Sequence, residues 1–123
     1  MNFTPAEMAI LAWFAEHSRD ESLRAQIAVA TAGTRETTSA GFFTQLLLPS
    51  GFELTESAVG ETQAALGGCG LFAPELDPFA DCLLHTRGGR LVSLEVYAVA
   101  EGHPLSVSSF KVRDVRGNTV DLR

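Results

Sequence analysis

The helix-start signals of this chain are crowded into its first 21 residues, and the remainder of the chain is punctuated for strands. Thr4-Pro5-Ala6-Glu7 offers a cap, a proline at the first helical position and a glutamate three residues after the cap, which together make a capping box. A helix is expected from about Pro5 to His17. Ser18-Arg19-Asp20-Glu21 repeats the pattern with Ser18 as the cap. It predicts a shorter helix over about Arg19 to Ala28, with Leu23 and Ile27 as its core pair. Two helices followed by a run of strands is the α+β signature. The expected fold is two N-terminal helices packed on a mainly antiparallel sheet of five or six strands. With 123 residues the chain suits a single domain over 1–123, helices at about 5–28 and sheet at about 29–115.

The first helix is apolar on two sides. Met8, Leu11, Ala12 and Ala15 fall on one, and Ile10, Trp13, Phe14 and His17 on another. Such a helix is wrapped by its own domain or covered by a partner chain, so Ile10, Trp13 and Phe14 are candidate interface residues of a homo-oligomer.

Val29 to Thr38 is rich in β-branched residues and reads as a strand, followed by a turn at Ser39-Ala40-Gly41. Phe42 to Leu48 is strongly apolar, as a central strand covered on both faces would be. Glu53 to Val59 and Glu61 to Leu66 read as two short strands around Gly60. Gly67-Gly68-Cys69-Gly70 reads as a flexible glycine loop, and Leu71 to Phe79, with Pro74 and Pro78, as another. Ala80 to Arg87 and Arg90 to Ala98 flank Gly88-Gly89, a two-residue hairpin turn. In that register, residues whose numbers sum to 177 lie opposite each other. Leu83, His85, Val92, Leu94, Val96 and Ala98 then form the core face. Cys82 faces Glu95 on the other side, beside Ser93 and Tyr97. A last strand is expected over Leu105 to Val115, and a tail over Gly117 to Arg123.

Charge narrows the class of partner. Between Arg35 and Arg87 there is no lysine or arginine, but there are seven acids: Glu36, Glu53, Glu56, Glu61, Glu75, Asp77 and Asp81. The net charge is −6. A one-sign acidic face argues against nucleic acid and anionic membranes and leaves room for a basic protein partner or a cationic ligand. Cys69 and Cys82 form no disulfide framework and no zinc spacing. The apolar run Met8 to Phe14 lacks the flanking charges of a secretory signal. A cytoplasmic location with free thiols, no cofactor and no metal is the expectation.

At Gly41-Phe42-Phe43-Thr44, preceded by Arg35-Glu36-Thr37-Thr38, the chain resembles a family of small bacterial proteins. These have a short N-terminal helical region, a G-F-F/Y-T strand and a late strand reading L-x-x-L-E-x-Y, here Leu91-Val92-Ser93-Leu94-Glu95-Val96-Tyr97. The resemblance implies a single-domain bacterial protein with this element order. It implies no activity.

Glu95 is the leading candidate side chain. A strand carboxylate between Leu94 and Val96 must find partners or change its ionisation. It is either a ligand-binding or acid–base carboxylate or a structural one bonded to backbone or Tyr97. Tyr97 and Cys82 join it as candidate ligand-binding residues on the expected face. Glu95, Tyr97 and Cys69 are the candidates for catalysis, Cys69 because a loop thiol near a histidine can be activated. Nothing here carries an enzyme motif. The expected function is a small binding or interaction protein, of which an immunity-type protein with an acidic face is one form. The alternative is a small-molecule binder or enzyme with a pocket around Glu95.

Overall fold

The computed structural model describes residues 2–50 and 63–115. Two helices, α1 (Pro5–His17) and α2 (Glu21–Val29), precede seven strands. These are β1 (Thr31–Thr37), β2 (Gly41–Leu47), β3 (Ala64–Leu66), β4 (Cys69–Phe72), β5 (Ala80–Arg87), β6 (Arg90–Ala98) and β7 (Lys111–Asp114). The sheet runs β1-β2-β6-β5-β4-β7, with β3 pairing the far half of β5, and every pair is antiparallel. The α+β fold with helices leading an antiparallel sheet is therefore present, with seven strands among the described residues where five or six were expected. Among the described residues, no helix is long and apolar enough to cross a membrane.

The α1 capping box forms as read: Thr4 accepts from the Glu7 amide, and Glu7 accepts from the Thr4 amide. The two-sided apolar pattern resolves differently. Ala6, Glu7, Ile10, Leu11, Trp13 and Phe14 make one broad buried arc, while Met8 and Ala12 face out. Ile10, Trp13 and Phe14, candidates for a partner interface, are buried in the domain's own core, the first of the two coverings expected for this helix. The second helix also starts later than expected. Its cap is Asp20, whose carboxylate accepts from the Leu23 amide. Ser18 instead closes α1 and receives the Asp20 amide on its hydroxyl.

The core lies between the helices and one face of the sheet, around Ile10, Phe42, Leu71, Leu84, Leu94 and Val96. β2 is not covered on both sides: Phe42, Thr44 and Leu46 are buried, and Gln45 and Leu47 are exposed. Gly41 starts β2 because the strand presses against β6 there; a Cβ would stand 1.9 Å from the Val96 carbonyl oxygen. The expected glycine loop is in fact the entry to β4, with Cys69, Gly70 and Leu71 buried. The last strand is shorter than read, because Pro104–Ser106 forms a 3₁₀ turn before β7. The strand expected over Glu53 to Val59, the first two residues of the one expected over Glu61 to Leu66 and the tail at Gly117 to Arg123 lie outside the described residues, while Ala64–Leu66 of the second forms β3.

The Gly88-Gly89 turn has φ of 59° and 77°, the doubly positive pattern of a hairpin turn matched to strand twist. The expected register holds only for Arg87↔Arg90 and Thr86↔Leu91. It then slips by one, to His85↔Ser93 and Leu83↔Glu95, leaving Val92 as the extra, exposed residue. Cys82, Leu84 and Thr86 consequently face the core, and Leu83 and His85 do not.

Two buried polar side chains, Glu7 and Gln26, fasten the helices to the sheet. The fully buried Glu7 receives the Arg35 guanidinium, Nη2 to Oε1 at 2.5 Å and Nε to Oε2 at 3.1 Å, and also the Thr44 hydroxyl. Gln26, also fully buried, accepts the Leu91 amide at 2.8 Å and donates to the Gly89 carbonyl at 2.8 Å, so its side chain pairs like a short strand with the hairpin. Removing one partner of a buried ion pair strands the other, so Arg35→Met should lower the unfolding free energy by about 3–5 kcal/mol in urea titration. A loss under about 1 kcal/mol would mean that the pair is effectively solvated. Thr86 predicts the opposite sign. Its hydroxyl is buried with no partner among the described residues. Thr86→Val should raise stability by about 1 kcal/mol, and a drop would show that the hydroxyl is bonded.

Candidate functional site

The candidate site is the sheet face away from the helices. Strand alternation and the ladders arrange it in rows. One row runs Glu36 (β1), Phe43 (β2), Glu95 (β6), Leu83 (β5). The next runs Gln45, Ser93, His85, Ala65 across β2, β6, β5 and β3. The third runs Gly41, Tyr97, Asp81, Gly70, Arg113. Phe43 thus stands in the row between two glutamates, one on each neighbouring strand. Neighbouring strands hold His85 and the Asp81–Tyr97 pair beside them.

His85 Nε2 and Glu95 Oε1 are 2.9 Å apart, with side chains 27% and 21% exposed. The His85 ring lies tilted 6.3 Å from the Phe43 ring. Glu95 is therefore not enclosed, and among the described residues its partner is an imidazole at the surface and not backbone. Tyr97 donates its hydroxyl to Asp81 at 3.0 Å. Beside Phe43 the surface dips into an open hollow of about 440 Å³, lined by Thr34, Glu36, Phe43, Gln45, Val92 and Ser93. A second hollow of about 240 Å³ shares Phe43, Val92 and Ser93 with it and carries His85 on its far side. Chemically, the face offers carboxylates, an aromatic ring and an oriented imidazole, a set suited to cations and to proton transfer.

Of the residues expected at a site, Glu95 and Tyr97 share this face. Cys82 does not: the slip at Val92 places it opposite Val96, inside the core. Cys69 is likewise fully buried at the start of β4, so it is no accessible loop thiol. Sequence reasoning missed His85, assigned to the core face by the unslipped register. The signal was present: Leu91 and Leu94, both buried, are three apart, and strict alternation would have spaced them by two. No family model matches this chain, and no curated protein or solved structure is similar to it above chance.

Burial, then the hydrogen bond and the charge of Asp81, with a lesser push from Glu95, hold the Tyr97 phenol above its ordinary range. The folded state thus favours the neutral phenol. Its stabilising share is complete below the ordinary tyrosine pKa of about 10 and is lost as pH rises through the higher folded value. Tyr97 is the chain's one tyrosine, so tyrosinate absorbance reports it alone. The folded protein should titrate above the urea-unfolded protein, and Asp81→Asn should lower the midpoint part of the way. Coincident folded and unfolded curves would remove the Asp81–Tyr97 pair from the site.

Proposed function

We propose that this protein is a binding module that presents the helix-free face of its sheet to a basic protein partner. The observation that carries the reading is the row Glu36–Phe43–Glu95, two carboxylates flanking an aromatic ring beside an open hollow. Asp81 extends the acidic character one row along, and the exposed Glu75, Asp77 and Glu101 lie on the segments bordering β5 and β6. Arg35, the cation nearest in sequence to Glu36, is turned into the core against Glu7 and so does not neutralise the face. An arginine or lysine side chain would find charge from the two glutamates and a ring face from Phe43. A cytoplasmic immunity-type protein that covers a basic partner is one form of this reading.

The second reading, a small-molecule or acid–base site, rests on the His85–Glu95 pair at the edge of the hollows. A carboxylate-oriented imidazole is the arrangement that proton transfer uses. His85→Gln separates the two, because it removes proton transfer and leaves Glu36, Phe43 and Glu95 in place.

The test is an NMR titration of the protein with an oligoarginine peptide. Amide shifts should centre on Phe43, Ser93 and Glu95, with affinity falling as salt rises from about 50 to 200 mM. The Glu36→Gln/Glu95→Gln double variant should bind about tenfold more weakly, a change of about 1.4 kcal/mol. Shifts confined to the helix layer, or a double variant that binds like the parent, would reject this face as the docking surface.

A further inference from the structure

The two cysteines lie apart from the acidic face, on the core side of the sheet. The ladder pairs Gly70 with Asp81 and Leu71 with Ala80, and the same register extended by one residue sets Cys69 opposite Cys82. Both are fully buried, and both are free thiols. We infer that Cys69 and Cys82 are a redox modification site, closing to a cross-strand disulfide between β4 and β5 when a hydroperoxide oxidises the pair. Directly opposed residues of an antiparallel pair have Cα atoms about 4.5 or 5.5 Å apart, and both values fall within the span of about 4.4–6.8 Å that a disulfide bridges. Closure therefore needs rotation of two side chains and no displacement of the strands.

The Cys82 thiol lies 3.9 Å from the Ala80 carbonyl oxygen, and the Cys69 thiol acts on its ionisation. A hydrogen bond with the Cys69 thiol, reinforced by burial, pushes the Cys82 thiol well above its ordinary range. Such a thiol supplies little thiolate, so the pair oxidises slowly. Oxidation proceeds in two displacements. One sulfur, as thiolate, attacks a peroxide oxygen; the O–O bond breaks, water or an alcohol leaves, and a sulfenic acid remains. The second thiolate then attacks the sulfenic sulfur; the S–O bond breaks, the S–S bond forms and water leaves. Two electrons pass from the sulfurs to the peroxide. The consequence is local. The β4–β5 ladder is short, and through β4 it joins β7 to the rest of the sheet. The disulfide would clamp that edge.

The experiment is treatment of the folded protein with hydrogen peroxide, followed by intact mass and non-reducing peptide mapping. Trypsin leaves both cysteines in one fragment, because no Lys or Arg lies between Arg35 and Arg87, whereas cleavage after Glu75 separates them. Expected are the loss of two hydrogens in a monomer, a linked pair of fragments after cleavage at Glu75, reversal by dithiothreitol and a raised melting temperature. Cys69→Ala and Cys82→Ala should each retain oxygen adducts on the remaining thiol instead. Oxygen adducts on both cysteines of the parent without hydrogen loss, or a crosslink between two chains, would overturn the assignment.

Discussion

The Glu7 carboxylate is wholly withdrawn from water, and that single fact organises the N-terminal half of the molecule. A buried carboxylate is tolerable only when donors replace its hydration. Here the donors are the Thr4 amide, the Arg35 guanidinium and the Thr44 hydroxyl. They come from the helix cap, from β1 and from β2. The helix cannot rotate, and β1 cannot slip along β2, without stranding a charge. Arg35 is itself held further by its bond to the Asn2 carbonyl and by its position 6.0 Å above the Phe42 ring.

Arg35 reaches Glu7 only because β1 is irregular. The register against β2 shifts between Ala32 and Arg35. In an unbroken strand, residues three apart face opposite sides. The extra residue lets Ala32 and Arg35 both face the core, and by the same step it sends Glu36 outward. Gly33 permits the crowding, since a Cβ there would stand 2.4 Å from Gln45 Oε1. One bulge thus neutralises a buried acid and leaves a surface acid without its sequence neighbour as a counter-ion. The charge character of the outer face is a by-product of how the interior is satisfied.

Helix order, strand order along the late hairpin and the Gly88-Gly89 turn were all legible in the sequence, because caps, glycine pairs and β-branched runs act locally. What was not legible depends on contacts distant in sequence. Glu7 reads as a capping residue, and nothing local says that the same carboxylate will meet Arg35, 28 positions away. The first helix looked two-sided for the same reason: a charged residue lies on its buried arc while Met8 and Ala12 lie on its wet side. The slip at Val92 decided the candidate site. It left Ser93, Glu95 and Tyr97 together but exchanged their neighbours on β5, bringing His85 to Glu95 and turning Cys82 inward. A reading that fixes register from the turn alone is one residue from the right chemistry and selects the wrong side chains.

Both bulges lie next to a buried polar group supplied by a helix. Glu7 of α1 grips Arg35, immediately beyond the irregularity in β1. Gln26 of α2 grips the Gly89 carbonyl and the Leu91 amide, immediately before Val92. An apolar contact would tolerate a strand displaced by one residue, since one branched side chain packs much like another. A hydrogen-bonded amide or carboxylate tolerates none, because a slip leaves a donor or an acceptor unpaired in the core. The helices therefore do more than cover the sheet. Each fixes the register of one strand at the point where alternation breaks, and those two registers set which side chains gather on the opposite face. The arrangement of Glu36, Phe43, His85 and Glu95 is determined from the far side of the sheet, by groups that never touch it.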